Sequence, residues 1–452
     1  MRIASHTLGC KLNSAETSTI VGQFRLRDWE ITQSAEHANV YLLNTCSVTT
    51  NAEKECRQIV RRILRQNPKA FIAVTGCYAQ LRPEEIASID GVDVVLGAKE
   101  KFNIFSHITS FEKLSVPKIF SSPIEEATEF HLAATADTDE RTRAFLKVQD
   151  GCDYTCSFCT IPMARGESRS ADIEHIISEA RRLSADGFRE IILSGVNVGD
   201  FGRKIGTSFF DLVEAIENDD LITARIRISS IEPNLLTDEI IRLVAHSEKF
   251  CPHFHIPLQS GSPKLLKLMQ RRYTADHYRS RIERIKELMP AAGIGVDVIV
   301  GFPGESDQDF LDSYNFINDL DISYLHVFTY SERPDTKAAV MNDPVKIEKR
   351  KERNAMLRIL SEKKLRNFYW EQKFSIVTVL LESCTRSESD ALTMREGYSE
   401  NYVRTALEAK SLPSDSELVR VRLGETNGEF VHAELLEVLS YRREISLLPI
   451  LQ

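Results

Sequence analysis

The stretch "DGCDYTCSFCTIPMARG" (residues 150–166) places Cys152, Cys156 and Cys159 in a Cys-x3-Cys-x2-Cys run with no fourth cysteine or histidine nearby. A closed structural zinc site takes four protein ligands. Three thiolates at this spacing leave one metal position for something other than protein. Thiolates are the usual ligands of iron–sulfur clusters, and a cubane held by three cysteines keeps one iron open. The run directly follows an apolar strand pattern, "AFLKVQ" (144–149). It therefore sits at a strand end, where α/β barrels carry their chemistry.

Reading outward, the pattern repeats. Between residues 140 and 370 the candidate strands are "AFLKVQ", "EIILSG", "RIRISS", "HFHIPL", "IGVDVIVG" and "SYLHVFT", each followed by a helical stretch. Six strand–helix units predict a partial or complete parallel barrel. Polar and small residues fall at every strand end: Cys152, then Gly195 and Asn197, then Ser229, Ser230 and Glu232, then Gln259 and Ser260, then "GFPGE" from Gly301, then Tyr330 and Arg333.

Residues 1–112 alternate strands and helices too, which predicts a parallel sheet with helices on its faces. Cys10, Cys46 and Cys77 each follow an apolar strand ("HTLGC", "LLNTC", "AVTGC") and precede a helix. Strand ends of a parallel sheet share one edge, so cysteines far apart in sequence converge there. Helix N-termini on that edge favour an anionic ligand. A second cluster is the expectation, weighed against three small buried thiols. Cys56, Cys251 and Cys384 have no partners at ligand spacing and read as structural.

Residues 113–139, rich in Ser, Thr, Pro, Ala and Asp, read as a linker. Residues 371–440 carry short, Val-rich, alternating segments such as "FSIVTVLLES" and "ELVRVRLGET", which predict a small antiparallel β-barrel. Residues 441–452 are a short C-terminal tail. The whole is an α/β protein with a β-barrel appended.

Composition narrows the function classes. A net charge of −9 over 452 residues argues against a protein that coats nucleic acid, but local basic patches can still serve a structured RNA. Candidates are "RRILR" (61–65), "KLLKLMQRR" (264–272), "KIEKRKERN" (346–354) and "EKKLRN" (362–367); each also suits a solvated helix face. The nine cysteines are too few for a disulfide scaffold and suit a reducing compartment. No apolar run reaches membrane-span length and no signal peptide opens the chain, so a cytoplasmic monomer is the default.

With these residues in view, the chain resembles the radical S-adenosylmethionine (SAM) methylthiotransferases over nearly its whole length. "TLGCKLNSAET" (7–17), "NTCSVTTNAEKECRQIVRR" (44–62), "YSERPDTKAA" (330–339) and "GYSENYVR" (397–404) are similar to the branch that modifies N6-threonylcarbamoyladenosine in tRNA. The isopentenyladenosine branch usually has Gln where Lys11 stands, and the ribosomal-protein branch a Pro-Lys-Asn element. Thr160 and Met163 depart from the branch pattern beside the cluster loop.

The resemblance implies two [4Fe–4S] clusters. One, on Cys152, Cys156 and Cys159, binds SAM and yields a 5′-deoxyadenosyl radical. The other, on Cys10, Cys46 and Cys77, carries sulfur. The methylthio group goes to C2 of the adenine at position 37, beside the anticodon. Gly195, Asn197, Ser229, Ser230, Glu232, Gln259 and Gly301 are expected around SAM. The C-terminal module, resembling a TRAM domain, is expected to grip the anticodon stem-loop through Tyr398, Tyr402 and Arg404. Other readings are the same chemistry on isopentenyladenosine or a ribosomal-protein aspartate, a non-catalytic two-cluster electron carrier, and a zinc-dependent RNA-binding module. The sequence does not specify the sulfur donor or the electron donor.

Overall fold

The computed structural model describes residues 1–32, 37–46, 50–135, 142–389 and 392–441. The tail 442–452 and residues 136–141, at the end of the expected linker and the start of the expected barrel, lie outside them, as does the side chain of Cys384.

The N-terminal sheet has six parallel strands in the order Glu30–Thr32, Arg2–Thr7, Val40–Thr45, Phe71–Gly76, Val94–Leu96, Lys118–Phe120. Its two central strands are buried at every residue, because helices cover both faces. Leu43, Ile72 and Val74 pack on one face with Ile59, Val60 and Ile63 of the helix Thr50–Gln66. Leu42, Phe71 and Ala73 pack on the other with Ile20, Val21 and Phe24 of the helix Lys11–Arg25.

The expected linker is not a loose connection. Lys118–Phe120 forms the sixth strand of the N-terminal sheet, and Ala133–Ala134 pairs antiparallel with Arg143–Lys147 of the next domain. Its Ser- and Pro-rich composition hid two short strands that close two sheets.

The central domain holds six parallel strands as two three-stranded halves. One contains Arg143–Lys147, Glu190–Ser194 and Arg225–Ile228; the other His253–His255, Gly293–Val300 and Tyr324–Thr329. Parallel bridges Ile226–Phe250 and Ser230–His255 join them. Among the described residues no pairing closes the first strand onto the last, so the barrel is partial. The helix Lys11–Arg25 lies against the first strand's edge, with Thr19 bonded to Ala134. The N-terminal domain thus flanks the open side. The helix Ile347–Glu371 covers the last strand, where Ser361 Oγ bonds both backbone groups of Leu325. In the same helix Arg350 and Arg353 are buried against Glu332 and Glu305, so "KIEKRKERN" is only partly a solvated face.

The C-terminal module is a closed barrel of Ile376–Ser389, Leu392–Ser399, Arg404–Glu408, Val431–Tyr441 and Ser416–Thr426. It docks on the end of the central barrel where the strands begin. Arg225 donates to the carbonyls of Thr378 and Tyr398, and Arg227 to those of Ser399 and Glu400. Both pair with buried Glu190, as does Arg143. Burial raises the Glu190 carboxyl, but the three guanidiniums overcome it and hold it well below its ordinary range.

This docking corrects the expectation for Tyr398, Tyr402 and Arg404. The Tyr402 ring stacks on Tyr398 at 4.7 Å and on His253 at 4.4 Å. Arg143 lies over Tyr398 and Arg227 over Tyr402. Arg404 is paired with Glu396 and Glu429. The two rings plug the base of the barrel, so their faces are already covered. Tyr402→Ala is expected to lower stability by about 2 kcal/mol through lost stacking and burial. Calorimetry should show the lower Tm, and tRNA affinity of the folded variant should stay close to that of the parent.

Candidate functional site

Both cysteine trios sit at strand ends, in two domains held together by buried charge. Cys152, Cys156 and Cys159 lie on the loop after Gln149–Asp150 and line a cavity of about 1110 Å³. Met163 and the former linker residues Ile124 and Phe130 line it as well. Each sulfur meets a donor: Tyr154 N at 3.4 Å from Cys152 Sγ, Ile161 N at 3.5 Å from Cys159 Sγ, and Arg271 Nη1 at 3.1 Å from Cys156 Sγ. Such donors suit thiolates. Burial, however, pushes the thiols of Cys152 and Cys159 up to about 12, and repulsion from the neighbouring thiols, Cys156 for both, adds to it. Three adjacent thiolates therefore need a cationic centre among them.

In the N-terminal domain the topology brings Cys10, Cys46 and Cys77 to one sheet edge, after Arg2–Thr7, Val40–Thr45 and Phe71–Gly76. Gly9 has φ +99°, and a Cβ there would lie 2.7 Å from Cys46 Cβ. Gly76 has φ +98°, and a Cβ there would lie 2.2 Å from the Thr45 carbonyl. Only glycine lets these loops close on one another. Asn13 ties them further, donating to the carbonyls of Leu8 and Thr45. Burial raises the Cys77 thiol, Arg165 lowers it and nearby Cys10 raises it.

Tetrahedral zinc at about 2.3 Å from each sulfur brings thiolates to about 3.8 Å from one another. Among the described residues, the one trio of metal-ligating donor atoms that closes within 4.8 Å is His255, Asp297 and His326. Neither cysteine trio brings all three sulfurs that close, and a multi-iron cluster spreads its thiolate ligands more widely than a single zinc ion does.

Between the two trios lies a charge network. Arg165, at the end of the helix Ile161–Arg165 after the cluster loop, donates to Glu16 at 3.1 Å, Asp150 at 2.8 Å and Asn13 at 2.7 Å. Lys101 and Lys147 also meet Glu16, and Lys147 and Arg169 meet Asp150. Four cations face two carboxylates here, and the surplus positive charge adjoins Cys10 and Cys77. An anionic thiolate-bound cluster fits that field. The network was not foreseen in the sequence; its one signal is the short spacing Cys10–Asn13–Glu16 along one helix.

The residues expected around SAM are only partly gathered. Asn197 Oδ1 accepts from Glu232 N at 3.4 Å, and Gln149 Oε1 accepts from Asn197 N at 2.9 Å. Glu232 pairs with Arg271, which also holds Cys156. Asn197 Nδ2 and Ser229 Oγ are buried without a hydrogen-bond partner. Two orphaned polar groups at neighbouring strand ends fit a polar ligand. Gly195 packs against Gln149, where a Cβ would come within 2.9 Å of Oε1. Gln259 continues the fourth strand end by a bridge to Val298. Gly301 lies apart: its φ of +78° presses it onto Arg350, where a Cβ would come within 2.3 Å.

Ser230 faces the barrel lumen. Its Oγ is 2.7 Å from His255 Nδ1, and His255 Nε2 is 2.8 Å from Asp297 Oδ1. His326 stands edge-on to His255. Lys11, next to Cys10, reaches this lumen. It lies within the fields of Arg227, Arg143, Glu190, Asp297 and His326. It is enclosed by protein yet open to solvent, and among the described residues it has no hydrogen bond or ion pair.

Comparison with known proteins follows this layout. Residues 2–97 match the family described as "Uncharacterized protein family UPF0004", and residues 146–317 the "Radical SAM superfamily". The threonylcarbamoyladenosine tRNA methylthiotransferase MtaB of Bacillus subtilis (strain 168) is 36% identical over 447 residues, covering 98% of this chain and 99% of its own. The tRNA-2-methylthio-N(6)-dimethylallyladenosine synthase of Endomicrobium trichonymphae is 34% identical over 364 residues, covering 79% and 83%. A solved radical S-adenosylmethionine methyltransferase, TsrM from Kitasatospora setae, shares the fold at a TM-score of 0.57 and 15% identity, covering 75% of each chain.

Proposed function

The chain belongs to the radical SAM methylthiotransferases, and from that membership we propose how its two cysteine trios divide one reaction on tRNA. The reaction is addition of a methylthio group to C2 of N6-threonylcarbamoyladenosine at position 37. The observation that carries this reading is the 36% identity to the Bacillus subtilis enzyme along essentially both whole chains. Cys152, Cys156 and Cys159 would hold the cluster that binds SAM, and Cys10, Cys46 and Cys77 the cluster that carries sulfur. When bound, these groups supply the radical and sulfur-transfer chemistry.

The chain's own residues have three tasks. Gly9 and Gly76 let the strand-end loops approach, so that three thiols from three strands share one edge. Arg165, Lys101, Lys147 and Arg169 supply positive field beside that edge and bind the two domains in one relation. Arg271 steadies Cys156 and Glu232 together, and Glu232 with Asn197 and Ser229 offers polar groups to SAM. With Tyr398 and Tyr402 committed to the barrel base, the anticodon stem-loop meets other faces of the protein. No helix among the described residues is long and apolar enough to cross a membrane, and a cytoplasmic site of action suits a tRNA substrate.

The test is a reaction with purified components: reconstituted protein, SAM, a reductant and tRNA bearing N6-threonylcarbamoyladenosine. Formation of 5′-deoxyadenosine together with the 2-methylthio nucleoside is expected. Cleavage of SAM with unchanged RNA would overturn the reading.

A further inference from the structure

The reading above leaves unexplained why a lysine adjacent to a cluster cysteine turns into the barrel lumen. The lumen is not generally short of positive charge. Arg227 and Arg143 also face it, but both are committed to Glu190, and Arg227 also to the carbonyls of Ser399 and Glu400. Lys11 differs in being accessible and in making no hydrogen bond or ion pair among the described residues. Among the described residues no carboxylate pairs with it, and a cation so placed can take an anion from outside the protein.

Around it stand groups suited to an uncharged polar chain. His326 is exposed to the lumen. His255 has both ring nitrogens engaged, by Ser230 and Asp297. That leaves the trio His255, Asp297 and His326 poorly placed to take a metal ion, with the Lys11 ammonium nearby as a further deterrent.

The substrate's own chemistry completes the match. Adenine carries C2 and C6 on either side of N1, so a substituent on N6 leaves the ring beside C2 but in a different direction. A base that turns C2 toward Cys10, Cys46 and Cys77 keeps its N6 substituent beside that edge, within reach of a residue adjacent to Cys10. Lys11 begins at the same edge, beside Cys10, and extends into the lumen. A threonylcarbamoyl group ends in a carboxylate and carries a hydroxyl and a ureido group. A dimethylallyl group at the same nitrogen has neither charge nor hydrogen-bonding atoms.

We propose that Lys11 receives the carboxylate of the threonylcarbamoyl substituent, making the barrel lumen the subsite that selects adenines with an anionic N6 group. This rests on the reading that N6-threonylcarbamoyladenosine is the substrate. His326 and the His255–Asp297 pair line the path of the ureido and hydroxyl groups. The subsite serves recognition, so its loss raises KM before it lowers kcat.

The experiment compares two anticodon stem-loops that differ at one atom group. One carries the threonylcarbamoyl carboxylate, the other the corresponding neutral carboxamide. Equilibrium binding and methylthiolation are measured with the cluster-loaded protein. The parent is expected to favour the acid about 10- to 100-fold, the range for a charge-assisted hydrogen bond. Lys11→Met is expected to bring that ratio close to one, and Lys11→Arg to keep most of it. Iron content confirms that each variant holds its clusters. A parent that binds and modifies both stem-loops equally overturns the proposal without any variant. So does a Lys11→Met protein that keeps the parent's ratio. A parent that modifies neither stem-loop refutes the substrate assignment itself, and the proposal falls with it.

Discussion

Cys46→Ala is expected to reduce methylthio transfer to background while SAM cleavage persists, whereas Cys156→Ala is expected to abolish both. The reason is spatial. Cys46 ends a strand of the N-terminal sheet, and Cys156 lies on the loop after Gln149–Asp150 at the mouth of the central barrel. The two trios have no residue in common, and Arg165, bonded to Glu16 and Asp150, lies between them. Removing one of three protein ligands leaves its cluster on two, too few to hold it in place. Each variant should lose the iron of one cluster and keep the other. Iron analysis reports the first half of the expectation, and chromatography of 5′-deoxyadenosine and methylthio nucleoside the second. Methylthio transfer retained in the Cys46 variant would end the division of labour.

Glu16→Gln is expected to destabilise the protein by about 3–5 kcal/mol, the cost of removing one partner from a buried ionic cluster. Glu16 is fully buried, and its carboxylate faces Arg165, Lys101 and Lys147. Without it the four cations of the network keep only Asp150 between them. A pH signature accompanies the loss. Burial raises the Glu16 and Asp150 carboxyls, but the surrounding cations win and hold both below their ordinary values of 4.5 and 3.8. A carboxyl with a depressed folded value stabilises the fold above its unfolded value. That stability is lost as pH falls through the folded value. The parent should therefore lose Tm steadily below about pH 5, where unfolded carboxyls begin to take up protons. Glu16→Gln should start lower and show a shallower acid slope. Thermal melts from pH 7 to pH 3 read both. Equal acid slopes in parent and variant would mean that Glu16 is not held ionised by the network.

What was legible in the sequence follows from range. Cys152, Cys156 and Cys159 are read from eight adjacent positions, and Cys10, Cys46 and Cys77 from a strand-end context that any parallel sheet converts into proximity. The six strand–helix units announce themselves by period. The Arg165–Glu16 contact joins residues 149 positions apart in different domains, and no local pattern marks it. Lys118–Phe120 and Ala133–Ala134 escaped for another reason. Strands of three and two residues are too short for a period, and it is pairing with a neighbour that makes them strands. Tyr398 and Tyr402 carry the composition of a base-stacking surface, yet an aromatic face that suits a nucleobase also suits His253 and an arginine. Sequence supplies the sticky face; the docking of the two barrels decides what it sticks to.

The most direct test of the central claim is mass spectrometry of tRNA nucleosides from a host lacking its own methylthiotransferases, with and without this protein. The account predicts that 2-methylthio-N6-threonylcarbamoyladenosine appears only when the protein is expressed with its iron in place. A methylthio mark on isopentenyladenosine instead, or no new mark from cluster-loaded protein, would contradict it.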